Sequence, residues 1–199
     1  MDWTIFHWLN SATRASDSGQ DAAEIFNTWA IITLVVVAGA LWLLARPGGA
    51  LRWKLATASA GVAALIGLAV NVALSNIWYD QRPFVEHPNQ TVLLIKHARD
   101  NGFPSDHATV AFAVAFAVLA FSRPLGAFLV VAATAIALDR VFVGVHFPID
   151  LAASVLVGLA SAALVTTIGR PWVVRLVALV SRATDPVVTA IRRIPWPGT

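Results

Sequence analysis

Five long apolar runs dominate the chain, and short polar segments separate them. The runs cover residues of about 25–45, 55–79, 106–121, 125–143 and 148–168. Each approaches or reaches the roughly 20 residues that a helix needs to cross the hydrocarbon core of a bilayer. Only 13% of the residues are charged, against about a quarter in soluble domains. The sequence therefore predicts an all-α integral membrane protein, a bundle of about five to six transmembrane helices.

The two ends of the chain differ from these runs. Residues 3–14 mix tryptophans with polar side chains, which predicts an N-terminal amphipathic helix at the membrane interface. A polar connection follows at 15–24, and a tight turn is predicted at 46–49. Residues 172–194 alternate short apolar runs with arginines, which predicts a basic helix on the membrane surface, with a sixth span as the alternative. The predicted division is 1–24 for the interfacial helix and linker, 25–168 for the core and 169–199 for the basic C-terminal segment, within one membrane-embedded domain, 1–199.

Basic residues are unevenly divided between the two ends of the predicted bundle. One end receives Arg46, Arg52, Lys54, Arg123, Arg170, Arg175, Arg182, Arg192 and Arg193, with Asp185 as its single acid. Because lysine and arginine are enriched in cytoplasmic loops, this end is predicted to face the cytoplasm and the opposite end to face outside. On this interpretation the net charge of +3 reflects membrane topology and not nucleic-acid binding.

Three polar clusters converge on the predicted outer end. They lie at 80–84 after the second run, at 103–107 where the third run begins, and at 139–150 between the fourth and fifth runs. Ionisable groups next to lipid are costly, so they mark a functional site by default. We therefore expect the active or binding site of the chain to be assembled from these clusters.

All three clusters carry groups that can bind anions. Ser105 follows Pro104 and precedes an apolar run, which predicts a helix N-cap. The backbone amides behind such a cap make an anion site at the positive end of the helix dipole. Arg82 and Arg140 add two guanidinium groups whose geometry suits phosphate oxygens. Together these groups indicate a phosphate-binding site.

The third cluster adds a candidate nucleophile. Pro148 suits the first turn of the fifth helix, which places Asp150 within reach of His146. A carboxylate bound to one ring nitrogen fixes the tautomer and leaves the other nitrogen as a base or nucleophile. His107 supplies a second imidazole from another helix. With the two arginines, this set is typical of phosphoryl transfer through a covalent phosphohistidine.

These residues form three ordered motifs within residues 70–160. The motifs are Arg82-Pro83, Pro104-Ser105-Asp106-His107 and Arg140-x-x-x-Gly144-x-His146-x-x-x-Asp150. In them the sequence resembles the type 2 phosphatidic acid phosphatase superfamily, so the predicted domain is a lipid phosphatase.

The resemblance implies roles for these residues. It implies His146 as the nucleophile, Asp150 as its orienting partner and His107 as the general acid. It implies phosphoryl binding by Arg82, Arg140 and Ser105, with Pro104 and Asp106 also counted among the substrate-binding positions. It implies no obligatory metal or other cofactor.

The chain departs from the superfamily pattern at three positions. Ser75 stands where the first motif usually has a lysine, so one phosphate-binding cation is missing unless Lys96 supplies it. Asp106 stands where glycine is usual, and Asp139 where serine is frequent. Additional carboxylates near phosphate require an arginine or a divalent cation as a partner, which leaves stimulation by a divalent cation open.

One branch of the superfamily shares more of the sequence. Arg-Pro-Phe-Val, a following His-Ala segment, Phe-Pro-Ser-Asp-His and Gly-Val-His-Phe-Pro-Ile-Asp are similar to the bacitracin-resistance type of undecaprenyl diphosphatase. That resemblance implies removal of the terminal phosphate of a polyprenyl diphosphate at the outer face of the bacterial inner membrane, which recycles the lipid carrier of cell-wall synthesis. His97 either contacts the second phosphate or is a solvated loop histidine.

Three alternatives compete with this prediction. The first is a phosphatase of lipid monophosphates such as phosphatidate or phosphatidylglycerol phosphate. The second is a transporter or channel, which should show two related halves, whereas the sequence has no internal repeat. The third is a zinc site made by His107, His146 and Asp150, because two imidazoles and a carboxylate suit zinc. The chain has no cysteine, so a thiolate metal site is excluded.

Overall fold

The computed structural model describes residues 2–45 and 51–192. The helices are α1 (Asp2–Ser11), a 3-10 turn (Ala12–Ala15), α2 (Asp17–Leu44), α3 (Arg52–Ile77), α4 (Pro83–Glu86), α5 (Asp106–Leu119), α6 (Arg123–Phe142), α7 (Pro148–Thr166) and α8 (Arg170–Arg192). The described residues contain no strand, and the predicted all-α class is confirmed. The predicted turn at 46–49 and Arg193 lie outside the described residues.

Four helices, α2, α3, α6 and α7, are long and apolar enough to cross a bilayer. Between them lies α5, a shorter apolar helix. The chain is thus a multi-pass membrane protein. Within the described ranges, α8 does not meet the same criterion of length and hydropathy. The location of a basic helix at 172–194 on the membrane surface stays a prediction.

The first span begins earlier than the sequence predicts. The hydroxyl Oγ of Ser16 accepts a hydrogen bond from the backbone N–H of Gly19 at 2.9 Å, which caps α2 at its first turn. Asp17 lies in that turn, where a carboxylate interacts favourably with the helix dipole. The polar connection predicted at 15–24 is therefore wrong, because most of that segment is helix.

The short helix α5 occupies the centre of the bundle and packs against α2, α3, α6 and α7. The alanines of α5 are buried. Gly158 of α7 lets the two helices approach closely, because a Cβ at Gly158 would lie 2.8 Å from Cβ of Phe112 on α5. Small residues allow such backbone contact between helices in lipid. As a result, the N-terminal ends of α5 and α7 meet at one end of the bundle.

The N-terminal helix α1 docks on this same end. Phe6 is fully buried, and its ring packs edge-on against Phe147, with 5.3 Å between the ring centroids. A carboxylate oxygen of Asp2 accepts a hydrogen bond from the N–H of Ile149 at 3.1 Å. Helix α1 therefore contacts the first turn of α7 directly.

At the opposite end, α8 is attached to α2 and α3 by polar contacts. Lys54 is buried, donates to Oγ of Ser181 at 2.9 Å and forms an ion pair with Asp185. The indole N–H of Trp42 donates to Oγ1 of Thr184 at 3.2 Å. These contacts hold α8 against the bundle far from the three polar clusters.

Candidate active site

A polar pocket of about 370 Å³ lies where α3, α5, α6 and the 80–104 loop meet. Its lining residues are Asn71, Val72, Ser75, Arg82, His97, Asp100, Asn101, Phe103, Pro104, Asp106, His107, Arg140 and His146. Side chains from all three polar clusters are thus brought together. Ser105 and Asp150 are fully buried beside the pocket.

A glycine turn after α6 places His146 at the pocket. Gly144 has a φ of 86°, a conformation that side chains with a Cβ rarely adopt. A Cβ there would also lie 2.3 Å from the carbonyl oxygen of Val92. The turn folds the chain back so that the N–H groups of Val145 and His146 both donate to the carbonyl of Arg140, at 3.1 and 3.3 Å.

His146 is held by Asp150 from one side. Nδ1 of His146 lies 3.2 Å from Oδ2 of Asp150, and the same oxygen accepts the N–H of Phe147 at 2.9 Å. Both side chains are buried. A carboxylate can only accept, so Nδ1 carries the proton and Nε2 keeps its lone pair. Nε2 faces Arg82, whose Nη1 lies 3.2 Å away.

Arg82 is itself fixed by several acceptors. Its Nε donates to the Asp100 carboxylate at 2.7 Å, Nη1 to the carbonyl of Val145 at 3.0 Å and Nη2 to the carbonyl of Asn101 at 3.2 Å. These bonds orient the planar guanidinium beside the His146 ring. Asp100 and Asn101 are site residues that sequence reasoning missed, because loop residues follow no periodic pattern.

Arg140 enters the pocket from α6 and is 2% exposed. Its Nη1 donates to Oδ1 of Asn27 on α2, whereas its Nε is buried without a hydrogen-bond partner. Sequence reasoning missed Asn27. The available signal was an amide side chain within the otherwise apolar first run, since polar groups in a span have a partner or a function.

The start of α5 is joined to α7 through Ser154. The N–H of Ser105 donates to Oγ of Ser154 at 3.0 Å, and that hydroxyl lies 2.7 Å from the carbonyl of Asp150, to which it donates. Ser105 occupies the predicted N-cap position, but its own hydroxyl makes no cap bond and has no partner. Ser105 is thus the N-cap residue of α5, as predicted, although its side chain does not cap the helix.

Asp106 is anchored by α3. Its Oδ1 accepts from Nδ2 of Asn71 at 2.8 Å, and the same amide lies 3.0 Å from Oγ1 of Thr109. These contacts hold the carboxylate at the wall of the pocket, next to His107 in sequence. Asn71 is a further pocket residue absent from the predicted site.

Burial and neighbouring charge lower the pKa of His146 and His97, the two pocket histidines that lie in loops. Burial, followed by the guanidinium groups of Arg140 and Arg82, lowers the pKa of His146 well below its ordinary value. Burial also lowers the pKa of His97, and the same two arginines add to the effect. Both imidazoles are therefore neutral at neutral pH, and a neutral ring is required of a nucleophile.

Within residues 2–45 and 51–192, no three His, Cys, Asp or Glu side chains form a group that could hold a metal ion. The zinc site considered for His107, His146 and Asp150 is thus not formed by these residues.

The family of the chain follows from the sequence around this pocket. Residues 56–173 match the model of the PAP2 superfamily. This stretch is more than half of the chain and contains all three motifs. The chain belongs to the PAP2 superfamily.

Other proteins support this PAP2 assignment. Undecaprenyl-diphosphatase BcrC of Bacillus subtilis is 32% identical over 160 residues, which cover 80% of this chain and 79% of BcrC. YbjG of Escherichia coli is 34% identical over 161 residues, 80% of this chain and 78% of YbjG. The crystal structure of Aquifex aeolicus LpxE shares the fold, with a TM-score of 0.65 and 20% sequence identity over 81% of this chain and 92% of LpxE.

Two departures from the PAP2 pattern are located by the structure. Ser75, where a lysine is usual, lies in the wall of the pocket, so the superfamily position is occupied by a neutral side chain. Lys96, the predicted replacement, is exposed and is not among the residues that line the pocket. His97 lines the pocket beside it. Of the described lysines and arginines, Arg82 and Arg140 are therefore the ones that line this pocket.

Proposed function

We propose that the chain removes the terminal phosphate of a polyprenyl diphosphate, with undecaprenyl diphosphate as the substrate, at the outer face of a bacterial inner membrane. The observation that carries the proposal is the placement of His146 between Asp150 and Arg82 at a pocket that Arg140 and His107 also line. The lipid is suggested by the relative named undecaprenyl-diphosphatase, which matches most of the chain.

In the first step, Nε2 of His146 attacks the terminal phosphorus. When a phosphoryl group enters the pocket, its oxygen accepts the hydrogen bond from Nη1 of Arg82 in place of Nε2 of His146. The lone pair on Nε2 is then free to attack. An N–P bond forms, and the bond between phosphorus and the bridging oxygen breaks. His107, on the adjacent helix start, donates a proton to that oxygen, so the lipid leaves as a monophosphate.

In the second step, water hydrolyses the phosphohistidine. His107, now neutral, accepts a proton from the water as its oxygen attacks phosphorus, and the N–P bond breaks. Inorganic phosphate leaves, and His146 recovers its lone pair. Asp150 stays ionised and bound to Nδ1 throughout, so that it keeps Nε2 directed at the phosphorus and stabilises the ring while it is positively charged.

The cations and amides of the pocket stabilise the transferring group. Phosphoryl transfer depends mainly on positioning and charge stabilisation. Arg82 is oriented by three other acceptors, and the free Nε of Arg140 is a donor for a phosphate oxygen. The backbone amides at the start of α5 add a helix N-terminus, which favours an anion.

The orientation in the membrane is supported by charge. The end of the bundle opposite the pocket carries Arg52, Lys54 and Arg123, and Arg170 begins α8 there. Such a concentration of basic residues favours the cytoplasmic side. The pocket then faces outside, where the diphosphate group of a lipid carrier is accessible.

The proposal is tested by phosphate release from undecaprenyl diphosphate with purified protein in detergent. His146→Ala should abolish turnover, while His7→Ala, an exposed histidine of α1 outside the pocket, should leave it unchanged. A substrate labelled in its terminal phosphate should give an acid-labile phosphoprotein with the wild type and none with His146→Ala. Full turnover by His146→Ala would refute the mechanism.

A competition experiment separates this function from its nearest alternative. Phosphatidate and phosphatidylglycerol phosphate are offered together with undecaprenyl diphosphate in mixed micelles. We expect the diphosphate to be consumed first. If a monophosphate lipid is consumed in its place, the chain is a phosphatase of lipid monophosphates.

A further inference from the structure

A second cavity, about 670 Å³ in volume, lies between α2 and α6 on the side of the bundle that faces lipid. Among its lining residues are Phe26, Trp29 and Leu34 of α2 and Phe128, Ala132 and Ile136 of α6. Its volume is in the range of ligand sites, which are typically apolar and aromatic with a few polar groups at one point. We refer to this cavity as the α2–α6 groove.

The α2–α6 groove exists because only part of α2 packs into the bundle. Leu34, Ala38 and Leu41 are buried, whereas Ile25 and Trp29, toward the start of the helix, are 63% and 61% exposed. At 1.5 Å per residue, residues 22–37 extend over about 22 Å. This is more than half of the roughly 30 Å hydrocarbon thickness of a bilayer.

The polar end of the groove is Arg140. Ala132, Ile136 and Arg140 are four residues apart on α6, so they share one face of the helix. The first two line the groove, and Arg140 lines the catalytic pocket. Asn27 of α2 reaches across to Arg140 and bonds to its guanidinium. One helix face therefore leads from an apolar cavity to a phosphate-binding cation.

A competing groove lies between α3 and α7, with a volume of about 510 Å³. It differs from the first at its polar end, where Asp80 is among the lining residues and a carboxylate repels a diphosphate. Phe103 lines both this groove and the catalytic pocket, and its ring centroid lies 6.4 Å from that of Trp78. An anionic head group with a long apolar chain is thus better matched by the α2–α6 groove.

We infer that the α2–α6 groove binds the first isoprene units of the substrate's polyprenyl chain, with Asn27 and Arg140 at the junction between tail and diphosphate. The inference rests on the proposed function and adds to it a site for the lipid chain. A methyl-branched hydrocarbon needs no hydrogen-bond partner, and the aromatic side chains of Phe26, Trp29 and Phe128 offer it contact area. The groove then determines preference for long isoprenoids.

The test fills each groove at an exposed alanine. Ala135→Phe narrows the α2–α6 groove, and Ala152→Phe is the matched control in the groove between α3 and α7. The ratio of kcat/KM for undecaprenyl diphosphate to that for dimethylallyl diphosphate is measured for both. We expect Ala135→Phe to lower the ratio by about tenfold or more and Ala152→Phe to leave it unchanged.

A labelling experiment on the wild type does not depend on how either variant folds. A farnesyl diphosphate with a diazirine on its chain should label peptides from α2 and α6. Labelling of α3 and α7, or a lowered ratio in Ala152→Phe alone, would overturn the inference.

The outcomes also separate this inference from the proposed function. If wild type hydrolyses both diphosphates but Ala135→Phe keeps the wild-type ratio, the groove assignment fails and the phosphatase function stands. If wild type hydrolyses neither, the proposed function fails, and the groove assignment fails with it.

Discussion

Asn10 of α1 and Val92 of the 80–104 loop are joined by two hydrogen bonds. Nδ2 of Asn10 donates to the carbonyl of Val92 at 2.9 Å, and the N–H of Val92 donates to Oδ1 of Asn10 at 2.8 Å. The same Nδ2 lies 2.9 Å from the carbonyl of Phe142, where α6 ends just before the turn to His146. One buried amide thus connects α1, the loop that carries Arg82 and the segment that carries His146.

We expect Asn10→Ala to lower both stability and activity. The substitution leaves the part-buried N–H of Val92 without its partner, which costs up to about 1–3 kcal/mol, and it loosens the segment before His146. The measurements are the Tm in detergent and kcat/KM for the lipid diphosphate. Ser11→Ala is the control, because that exposed hydroxyl bonds only within α1. An unchanged Tm for Asn10→Ala would show that the amide does not brace the site.

Asp150→Asn should lower kcat by about 10²–10⁴-fold. An amide can present its N–H to Nδ1 of His146, which favours the tautomer with the proton on Nε2 and removes the lone pair that attacks phosphorus. Asp21→Asn, an exposed carboxylate on α2, serves as the control. A change in KM with kcat preserved would argue for a binding role and against an orienting one.

The acidic limb of the pH profile of kcat/KM should lie below pH 6.5. Burial and the two pocket arginines lower the pKa of His146 well below the ordinary histidine value of 6.5, so the neutral nucleophile persists as the pH falls through that value. The unfolded chain binds the proton first, so stability falls as the pH drops from 6.5 toward the folded pKa. An acidic decline of wild-type kcat/KM centred at or above pH 6.5 would contradict this.

Arg82→Lys should reduce kcat/KM by about 10²–10³-fold, although the charge is kept. A lysine cannot reproduce the planar fork that bonds Asp100, Val145 and Asn101 while it faces His146. Arg99→Lys, an exposed arginine of the same loop, should retain activity. Equal activity of both variants would mean that charge alone is required at position 82.

Removal of divalent cations with EDTA should leave most of the activity. The proposed steps use His146, His107 and two arginines, and none of them requires a metal. If magnesium stimulates the reaction, Asp106 is the candidate ligand, because its carboxylate lines the pocket and bonds a neutral amide. Asp106→Asn should then remove the stimulation. Complete loss in EDTA, with recovery on adding magnesium, would refute a metal-independent reaction.

The local sequence predicted the helices and turns around the site better than the hydrogen bonds between residues far apart in the chain. The apolar runs located the spans, and Pro148 with Asp150 located the start of α7, because these signals depend on neighbouring residues only. The start of α2 was missed, since the capping geometry of Ser16 outweighs the polar composition of the segment after it.

The contacts of Asn27 with Arg140 and of Asn10 with Val92 join residues far apart in the chain. They depend on how helices pack, which periodicity does not encode. The same is true of Ser105, whose backbone N–H bonds Ser154 of another helix, whereas its hydroxyl has no partner. The motifs predict which residues carry the chemistry, and the packing determines which side chains hold those residues in place.

The ion pair of Lys54 with Asp185 limits how far the chain can be truncated. Lys54 precedes the stretch that matches the family model, and Asp185 follows it. A fragment trimmed to the C-terminal limit of that match would keep the buried ammonium of Lys54 and lose its counter-ion, a change that costs about 3–5 kcal/mol in buried pairs. The unit that must be expressed intact is therefore longer than the stretch by which the family is recognised.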